Sequence, residues 1–292
     1  MQHICRLFPP GIRAQLEELA PSVWEELEEI RLRPGQPVKL WSRGGTRSLR
    51  ASVTQEELEQ IIRLACRGSV HTVLPQLRQG FLTLAGGHRL GVCGSVCLRD
   101  GEIHAIEPVS SLNLRLARQV TGIGEEVIGR LCPGGRFVST LILAPPGAGK
   151  TTLLRDVIRC LSDGVACSPH RVSLADERGE VGALYLGRPR FYVGSNTDVM
   201  DGCPKARGLM LLLRGMNPQV LAADEITAPE DVEAMSMAVG CGVELLCTAH
   251  GVGRADLERR GLYRAMLEQR IFRQLLTIRL EGGQRRYEVE EL

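Results

Sequence analysis

One stretch, LILAPPGAGKTTLLRDVIRCL at residues 141–161, constrains the fold of this 292-residue chain more than any other. Val138 to Ala144 is predicted to form a buried strand, and Pro145 and Pro146 cannot continue its hydrogen-bonded ladder. Apolar residues then recur at helical spacing from Leu153 to Leu161. The order strand, glycine turn, helix indicates a parallel α/β sheet covered by helices on both faces.

The turn between that strand and helix has the chemistry of a triphosphate site. Glycines let backbone N–H groups approach an anion, and a helix N-terminus favours negative charge. A lysine and a threonine hydroxyl suit phosphate and magnesium, so we predict that ATP binds here with Mg²⁺ and that Thr151 is a metal ligand. The predicted nucleotide-binding residues are Ala144, Pro145, Pro146, Gly147, Ala148, Gly149, Lys150, Thr151 and Thr152.

The turn departs from the usual pattern GxxxxGK[ST] at one position, because APPGAGKT begins with Ala144 instead of glycine. That glycine relaxes the turn more than it contacts phosphate, so alanine is tolerable there. Lys150 is one of only three lysines among 36 basic residues. Its presence in the turn indicates a phosphate contact, where a compact ammonium fits better than the planar arginine fork.

A second apolar strand is predicted within PQVLAADEI, residues 218–226, and it ends in two acids. Asp224 at the tip of this strand is placed to hold magnesium through water. Glu225 beside it is placed to orient and deprotonate the attacking water. A metal-side acid and a water-side base together predict phosphoryl transfer to water, whereas a small-molecule kinase would not need the second acid.

Polar residues also follow two further buried strands. RVSLADERGE releases Asp176 and Glu177 after its strand, and VELLCTAHG ends in Thr248 and His250. Because ligands gather at the carboxyl ends of parallel strands, we expect all these side chains to belong to one site. Asp176 and Glu177 are predicted catalytic acids, and His250 is predicted to sense the γ-phosphate.

Three segments are predicted along the chain. Residues 1–118 have the pattern of a smaller mixed α/β domain. Residues 119–135 are punctuated by glycine and predict a linker. Residues 136–292 then form the P-loop domain, whose central sheet is expected to be mainly parallel.

Local patterns add detail outside the P-loop region. Short strands are predicted between residues 81 and 116, with a turn at Asp100-Gly101. A capping box at Thr54 opens a helix that Gly68 is expected to end. The tail predicts two short helices and a hairpin that closes at Gly282-Gly283.

Composition narrows the class of protein. The formal net charge of +2 indicates no special partner, and no aromatic stacking pattern marks a nucleic-acid groove, so a nucleic-acid partner is not expected. No apolar stretch approaches the roughly 20 residues of a membrane span, and no signal peptide is visible. Ten cysteines without a CxxC pair indicate buried thiols in a reducing interior. We therefore expect a cytoplasmic protein that reaches a membrane only through partner proteins.

Four phrases in this order, APPGAGKT, ADERGE, LAADE and CTAHG, resemble the P-loop, acidic box, metal-binding strand end and histidine box of the secretion ATPase superfamily. LLLRGMNPQVLAADE matches its leucine–arginine pair and following proline at Arg214 and Pro218. DVMDGCPKARGLMLLLRGMNP, LEEIRLRPGQPV and GFLTLAGGHRLGVCG resemble one branch, the stage III sporulation protein AA family. The resemblance covers essentially the whole chain. The acidic box reads Asp-Glu where many relatives read Glu-Asp, which removes no needed charge.

This resemblance implies a RecA-like P-loop ATPase core, a homo-oligomeric and hexameric ring, and work on a membrane channel between mother cell and forespore. In such a ring a neighbouring subunit usually supplies a cation to the bound ATP. The candidates for this cation are Arg207 and Arg214, followed by Lys205, Arg188 and Arg190. Arg178 could instead pair with the acidic box of its own chain.

Two other functions fit the same core. The first is a RecA-like motor that moves or coats nucleic acid, because a fold does not fix a function. The second is a nucleotide-gated scaffold with negligible turnover, in which ATP only stabilises assembly.

Overall fold

The computed structural model describes residues 2–42, 44–66, 77, 80–99 and 101–292. Gly68 and Asp100, where the sequence predicts a helix end and a turn, lie outside these residues. The chain divides into two compact units, residues 1–118 and 119–292.

The first unit is an antiparallel sheet with four described helices. Its strands follow the order β3-β2-β1-β6-β5-β4. The strands are β1 (Leu27–Leu32), β2 (Pro37–Ser42), β3 (Gly45–Ser52), β4 (Phe81–Thr83), β5 (Arg89–Arg99) and β6 (Glu102–Arg115). The described helices are α1 (Gln2–Cys5), α2 (Pro10–Glu17), α3 (Pro21–Glu26) and α4 (Gln55–Ala65).

The local pattern accounts for much of this unit. Ile30 and Leu32 of β1 alternate into a core shared with Leu58 and Ile61 of α4, as a half-buried strand and an amphipathic helix require. The capping box at Thr54 is confirmed, since its hydroxyl accepts the Glu57 N–H at 3.2 Å and the Glu57 carboxylate accepts the Thr54 N–H at 2.9 Å. These two bonds satisfy two orphan donors at the start of α4.

Strands form between residues 81 and 116, as the sequence predicts, but two of them are long. Strands β5 and β6 contain 11 and 14 residues and pair along their length. Their pairing shifts at Cys93/Gly94, Gly94/Val96 and Cys97/Leu98. Irregularities of this kind let a ladder bend and continue, so β5 and β6 form one long hairpin.

The second unit is a seven-stranded sheet with helices on both faces. Strand order is β11-β8-β12-β13-β7-β14-β15, and a separate β9/β10 pair lies outside this sheet. The strands are β7 (Thr140–Ala144), β8 (Val172–Asp176), β9 (Leu184–Tyr185), β10 (Arg188–Pro189), β11 (Thr197–Asp201), β12 (Val220–Ala223), β13 (Glu244–His250), β14 (Gln274–Glu281) and β15 (Gln284–Glu291). The helices are α5 (Glu125–Leu131), α6 (Lys150–Asp163), α7 (Lys205–Met216), α8 (Pro229–Gly240), α9 (Arg254–Arg259) and α10 (Gly261–Glu268), with a 3₁₀ turn at Pro133–Gly135.

Pairing between neighbouring strands from β11 to β14 is parallel, and only β15 runs antiparallel, against β14. The inner parallel strands β7, β8, β12 and β13 are buried on both faces. Ile142 and Ala144 of β7 pack into one core, whereas Leu141 and Leu143 pack into the other. This explains why the strand sequences are apolar runs without alternation.

Residues 119–135 and the C-terminal tail both belong to the second unit. Residues 119–135, for which the sequence predicts a linker, contain α5, and its Val127, Ile128 and Leu131 are fully buried in the core of the second unit. The tail has the predicted pair of short helices, α9 and α10, and the predicted hairpin at Gly282-Gly283 joins β14 to β15. Among the residues that the structure describes, no helix has both the length and the apolarity to cross a bilayer.

Candidate active site

The glycine turn after β7 has the backbone geometry that its sequence predicts. Gly147 and Gly149 have φ of +77° and +100°, in the left-handed region that favours glycine. A Cβ on Gly147 would meet nothing within 4 Å, so this part of the turn is open to a ligand. Helix α6 begins directly afterwards at Lys150, and its first N–H groups have no intrahelical acceptor.

Lys150 lies beneath this turn and is only 7% exposed. Its Nζ lies 2.7 Å from His250 Nδ1 and 3.4 Å from the Ala144 carbonyl oxygen. Burial lowers the pKa of Lys150, and the carboxylates of Asp224 and Glu225 oppose that shift. The ammonium is therefore a desolvated cation, which an anion would stabilise.

Strand order explains how His250 comes to this position. Strand β13 lies between the P-loop strand β7 and the acidic strand β12, with His250 paired in register with Ala144. A residue at the tip of β13 therefore touches both neighbours. His250 Nε2 lies 3.0 Å from Glu225 Oε1, so the imidazole bridges Lys150 and Glu225.

Asp224 is held by two hydroxyl groups. Thr151 Oγ1 donates to Asp224 Oδ2 at 2.7 Å, and Thr248 Oγ1 donates to Asp224 Oδ1 at 2.6 Å. Thr248 is fully buried and also accepts the Glu225 N–H at 2.8 Å. One threonine of β13 thus fixes both acids at the end of β12.

Glu225 is partly buried and lies between two cationic or polar groups. Arg178 Nη1 donates to Glu225 Oε2 at 2.5 Å, while His250 faces the other carboxylate oxygen. From the sequence, Arg178 could pair with the acidic box, the segment ADERGE in which it lies. In the structure its partner is the strand-end glutamate instead.

Asp176 has a different environment from the other acids. It is 2% exposed, and its two carboxylate oxygens accept four backbone N–H groups, from Glu180, Val181, Gly182 and Ala183. Burial raises the pKa of Asp176, and the four amide donors oppose this shift. Because both oxygens are used within the chain, the geometry gives Asp176 a role in shaping the acidic-box loop.

Arg155 completes that loop from α6. Its Nε donates to the Val181 carbonyl and its Nη2 to the Glu180 carbonyl, both at 2.6 Å, and the guanidinium lies 4.0 Å from the Phe191 ring centroid. Glu177 stays at the surface with 43% of its side chain exposed, 3.6 Å from Lys205 Nζ. Of the two predicted acids of this box, only Glu177 has a carboxylate open to solvent.

The predicted trans cations separate into two groups. Arg207 and Arg214 are exposed on α7. Because a helix rises 1.5 Å per residue, Arg214 lies about 14 Å along α7 from Lys205. Arg188 and Arg190 are also exposed, the latter 4.8 Å from the Tyr185 ring centroid. Lys205 is 5% exposed and bonded within its own chain.

Sequence reasoning missed Arg285, which belongs to the far hairpin strand β15. Its Nε donates to the Ala148 carbonyl at 2.8 Å, and a Cβ on Gly149 would lie 3.1 Å from the same nitrogen. Strand β15 pairs with β14, which pairs with β7, so the sheet carries this side chain to the P-loop. No local pattern in QRRYEVEE distinguishes Arg285 from an ordinary surface charge.

These residues fit a magnesium-bound triphosphate. Mg²⁺ takes hard oxygen ligands and retains several waters, which suits one hydroxyl (Thr151) and one carboxylate (Asp224) 2.7 Å apart at the edge of an open turn. The ammonium of Lys150 and the N-terminus of α6 supply positive charge on the other side. The arrangement can thus bind a phosphate chain with its metal and hold a second carboxylate, Glu225, beside it.

Comparisons with known proteins agree with this architecture. The sequence model of the family described as "Sporulation stage III, protein AA" matches residues 1–288. Stage III sporulation protein AA of Bacillus subtilis (strain 168) is 36% identical over 284 residues, which are 97% of this chain and 92% of that protein. The Arabidopsis thaliana protein SEEDLING PLASTID DEVELOPMENT 1 is 31% identical over 166 residues, 52% of this chain and 23% of that protein.

Solved structures support the fold. The Legionella pneumophila ATPase DotB superimposes with a TM-score of 0.62 at 18% identity, over 97% of this chain and 80% of that one. The pilus retraction motor PilT with bound ADP superimposes with a TM-score of 0.63 at 17% identity, over 93% of this chain and 80% of that one. Both have the RecA-like fold, so the predicted fold class is confirmed. With a family match over nearly its whole length, this chain belongs to the Sporulation stage III, protein AA family.

Proposed function

We propose that the protein is a magnesium-dependent ATPase that hydrolyses ATP to ADP and phosphate. The observation that supports this most is the pair of adjacent acids with separate partners beside the P-loop. Asp224 accepts from the hydroxyl of Thr151, whereas Glu225 faces His250. One acid is thus directed to the metal side of a bound phosphate chain and the other to the side from which water would attack.

The roles of the chain's own groups follow from this geometry. The turn at residues 144–152 would hold the phosphates through backbone N–H groups and the Lys150 ammonium, with Thr151 and Asp224 as the metal-holding residues. Glu225 would orient water and take its proton, and His250 would relay phosphate occupancy between Lys150 and Glu225. Magnesium, when bound, would neutralise charge on the phosphate oxygens.

The test compares binding with turnover in Glu225→Gln. We expect the variant to keep its affinity for a fluorescent ATP analogue and to lose at least about 10²-fold in hydrolysis rate, a typical contribution of a general base. Glu233→Gln, an exposed glutamate on α8, is the matched control and should hydrolyse ATP at the wild-type rate. Hydrolysis by Glu225→Gln at that same rate would make the assignment wrong, and removal of Mg²⁺ with EDTA should stop the wild type.

We further propose that the chain assembles as a homo-oligomeric ring, in which Arg207 or Arg214 reaches the ATP of a neighbour. Both side chains are exposed on α7, as a residue that acts in trans must be. An arginine supplied in this way can raise the rate by about 10³ to 10⁵. The mass in solution should increase with a non-hydrolysable ATP analogue, and hydrolysis per subunit should rise with protein concentration.

Mixing two inactive variants tests which arginine acts. Arg214→Ala and Glu225→Gln chains are each expected to be inactive alone. In a mixed ring some sites combine an intact glutamate with a neighbour's intact arginine, so mixing should restore part of the activity. If only Arg207→Ala complements Glu225→Gln, Arg207 is the residue in trans. Rings whose hydrolysis stays at background would favour the nucleotide-gated scaffold.

The family and its Bacillus subtilis relative suggest the biological setting. We propose that the ATPase energises a secretion-like sporulation complex, acting in the cytoplasm and reaching the membrane through channel proteins. A Bacillus subtilis strain that lacks its own relative offers a test. The wild-type gene should restore spore formation and the Glu225→Gln gene should not; equal restoration by both would show that hydrolysis is not required.

A further inference from the structure

We propose that Lys205 is a positioning residue, which holds the backbone of Glu225 so that its carboxylate faces the site. This inference rests on the proposed function. Lys205 is the first residue of α7 and is 5% exposed. Its Nζ donates to the Glu225 carbonyl oxygen at 2.6 Å, so the ammonium bonds the backbone of the glutamate and not its side chain.

The backbone at Glu225 needs such support. Its φ is +51°, a left-handed conformation that is uncommon for residues other than glycine, asparagine and aspartate. A residue in this region persists when surrounding groups over-determine it. Here the N–H of Glu225 donates to Thr248 Oγ1 at 2.8 Å and its carbonyl accepts from Lys205. Both backbone polar groups of the strained residue are thus held by side chains.

The same cation is tied to the residues that follow. Lys205 Nζ lies 3.3 Å from Asp231 Oδ2, and that oxygen accepts the N–H groups of Thr227 at 3.1 Å and Ala228 at 3.2 Å. Asp231 is 4% exposed and lies in the first turn of α8. The turn at residues 225–228 is therefore fastened to one buried ion pair, which also draws on the exposed carboxylate of Glu177 at 3.6 Å.

A buried ion pair is a weak device for stability alone, because desolvation offsets most of its attraction. In some proteins such a pair instead fixes one conformation, and here the turn at residues 225–228 keeps its bonds only while Lys205 and Asp231 stay paired. The conformation fixed here is the one in which Glu225 reaches His250 at 3.0 Å. Lys205 therefore acts within its own chain on the proposed base, and its buried ammonium is already used there.

The experiment replaces the ammonium and measures rate and binding separately. In Lys205→Met we expect kcat to fall by about tenfold to a hundredfold, the scale of a small misplacement of a reacting group. The dissociation constant of a fluorescent ATP analogue should stay within about twofold, because charge-assisted phosphate contacts are unchanged. Lys39→Met, a lysine of the first unit that donates to Ser48 Oγ, is the matched control and should keep the wild-type kcat.

Two further variants separate positioning from folding. In a Glu225→Gln background, Lys205→Met should cause no additional loss of rate, because it acts through that glutamate. In the double variant Lys205→Met/Asp231→Asn the unpaired buried carboxylate is gone, so the melting temperature should recover while kcat stays low. If the double variant recovers kcat as well, the role is structural and the inference is overturned.

The remaining outcomes distinguish this inference from the proposed function. If Glu225→Gln is inactive while Lys205→Met turns over at the wild-type rate, the inference is overturned and the proposed function stands. If Glu225→Gln hydrolyses normally, or the wild type does not hydrolyse ATP, the proposed function fails and the inference fails with it.

Discussion

Lys150 and Lys205 invite comparison, because each is the first residue of a helix in the second unit and each is more than 90% buried, at 7% and 5% exposed. Their surroundings differ. Lys205 has the carboxylates of Asp231 and Glu177 at 3.3 and 3.6 Å. For Lys150, no ion pair within 4 Å exists among the residues that the structure describes, and its near contacts are His250 and a carbonyl.

Within the described part of the chain, Lys150 therefore lacks a close acidic partner, whereas Lys205 has two. A buried charge without a close counter-charge is costly, and burial accordingly lowers the pKa of Lys150. An anionic ligand would offset this cost, which supports the proposed phosphate contact of Lys150. Lys205 is already paired with carboxylates of its own chain, and its ammonium holds the backbone carbonyl of Glu225. The same residue type at equivalent helix positions thus supports two different proposals.

The largest expected effect is on folding. Lys205→Met leaves Asp231 buried without its cation, so we expect the free energy of unfolding to fall by about 3 kcal/mol. Lys150→Met removes a cation that burial disfavours, so stability should be unchanged or slightly higher. Urea unfolding followed by far-UV circular dichroism measures both. Equal destabilisation by the two variants would break the comparison.

The next effect is on nucleotide binding and runs in the opposite order. Lys150→Met should weaken ATP binding by about 10²-fold, which corresponds to about 2.7 kcal/mol. Lys205→Met should leave the affinity within about twofold of wild type. Titration with a fluorescent ATP analogue in the presence of Mg²⁺ distinguishes them, and unchanged affinity in Lys150→Met would refute the phosphate-binding role of this lysine.

The sequence predicted the strands β7, β8, β12 and β13, the helix α6 and the tail helices with their hairpin, and it predicted the convergence of Lys150, Asp224 and His250, because each rests on a local signal. It did not predict α7, α8 or β11. Apolar runs mark buried strands, and polar residues at their carboxyl ends share one edge of a parallel sheet. The roles proposed for these residues remain predictions. Their proximity, however, follows from strand order, which places β13 between β7 and β12.

Contacts that depend on long-range geometry could not be predicted. Arg285 bonds Ala148 across 137 residues of chain, and its own neighbours resemble any charged hairpin. Glu225 adopts a positive φ without a glycine to signal it. Asp176 is the last residue of the buried strand β8, much as Asp224 directly follows β12, but the segment after Asp176 folds back to donate four amides, which nothing in its composition indicates.

A third prediction uses pH and concerns Lys150 alone. Its pKa in the folded chain lies below the ordinary value of 10.5, so ATP affinity should fall as pH rises through that lowered pKa, by up to about tenfold per pH unit. Between the folded and unfolded pKa values the unfolded chain binds more protons, so stability should rise with pH over the same window. The two quantities thus change in opposite directions.

The measurement for this prediction is the difference between wild type and Lys150→Met in a pH series below 10.5, for both the dissociation constant and the free energy of unfolding. Subtraction removes the cysteines and tyrosines that titrate in the same range. Lys205→Met should retain the wild-type pH dependence of affinity. If the dissociation constants of wild type and Lys150→Met change with pH in the same way, Lys150 does not cause the pH dependence of ATP binding.

The smallest expected effect concerns Arg285, which brings a second cation to the turn that contains Lys150. Arg285→Ala removes the bond to the Ala148 carbonyl and should weaken ATP binding by about 1 kcal/mol, roughly fivefold, because a single hydrogen bond contributes little net energy. Since the side chain is exposed, the loss should shrink as salt is added, unlike the loss in Lys150→Met. Arg286→Ala is the matched control, because this neighbour on β15 pairs with Glu281 at 3.0 Å. Equal affinities for the two arginine variants would leave Lys150 as the side-chain cation of the turn, whereas a salt-sensitive loss in Arg285→Ala alone would show that the hairpin contributes to the nucleotide site.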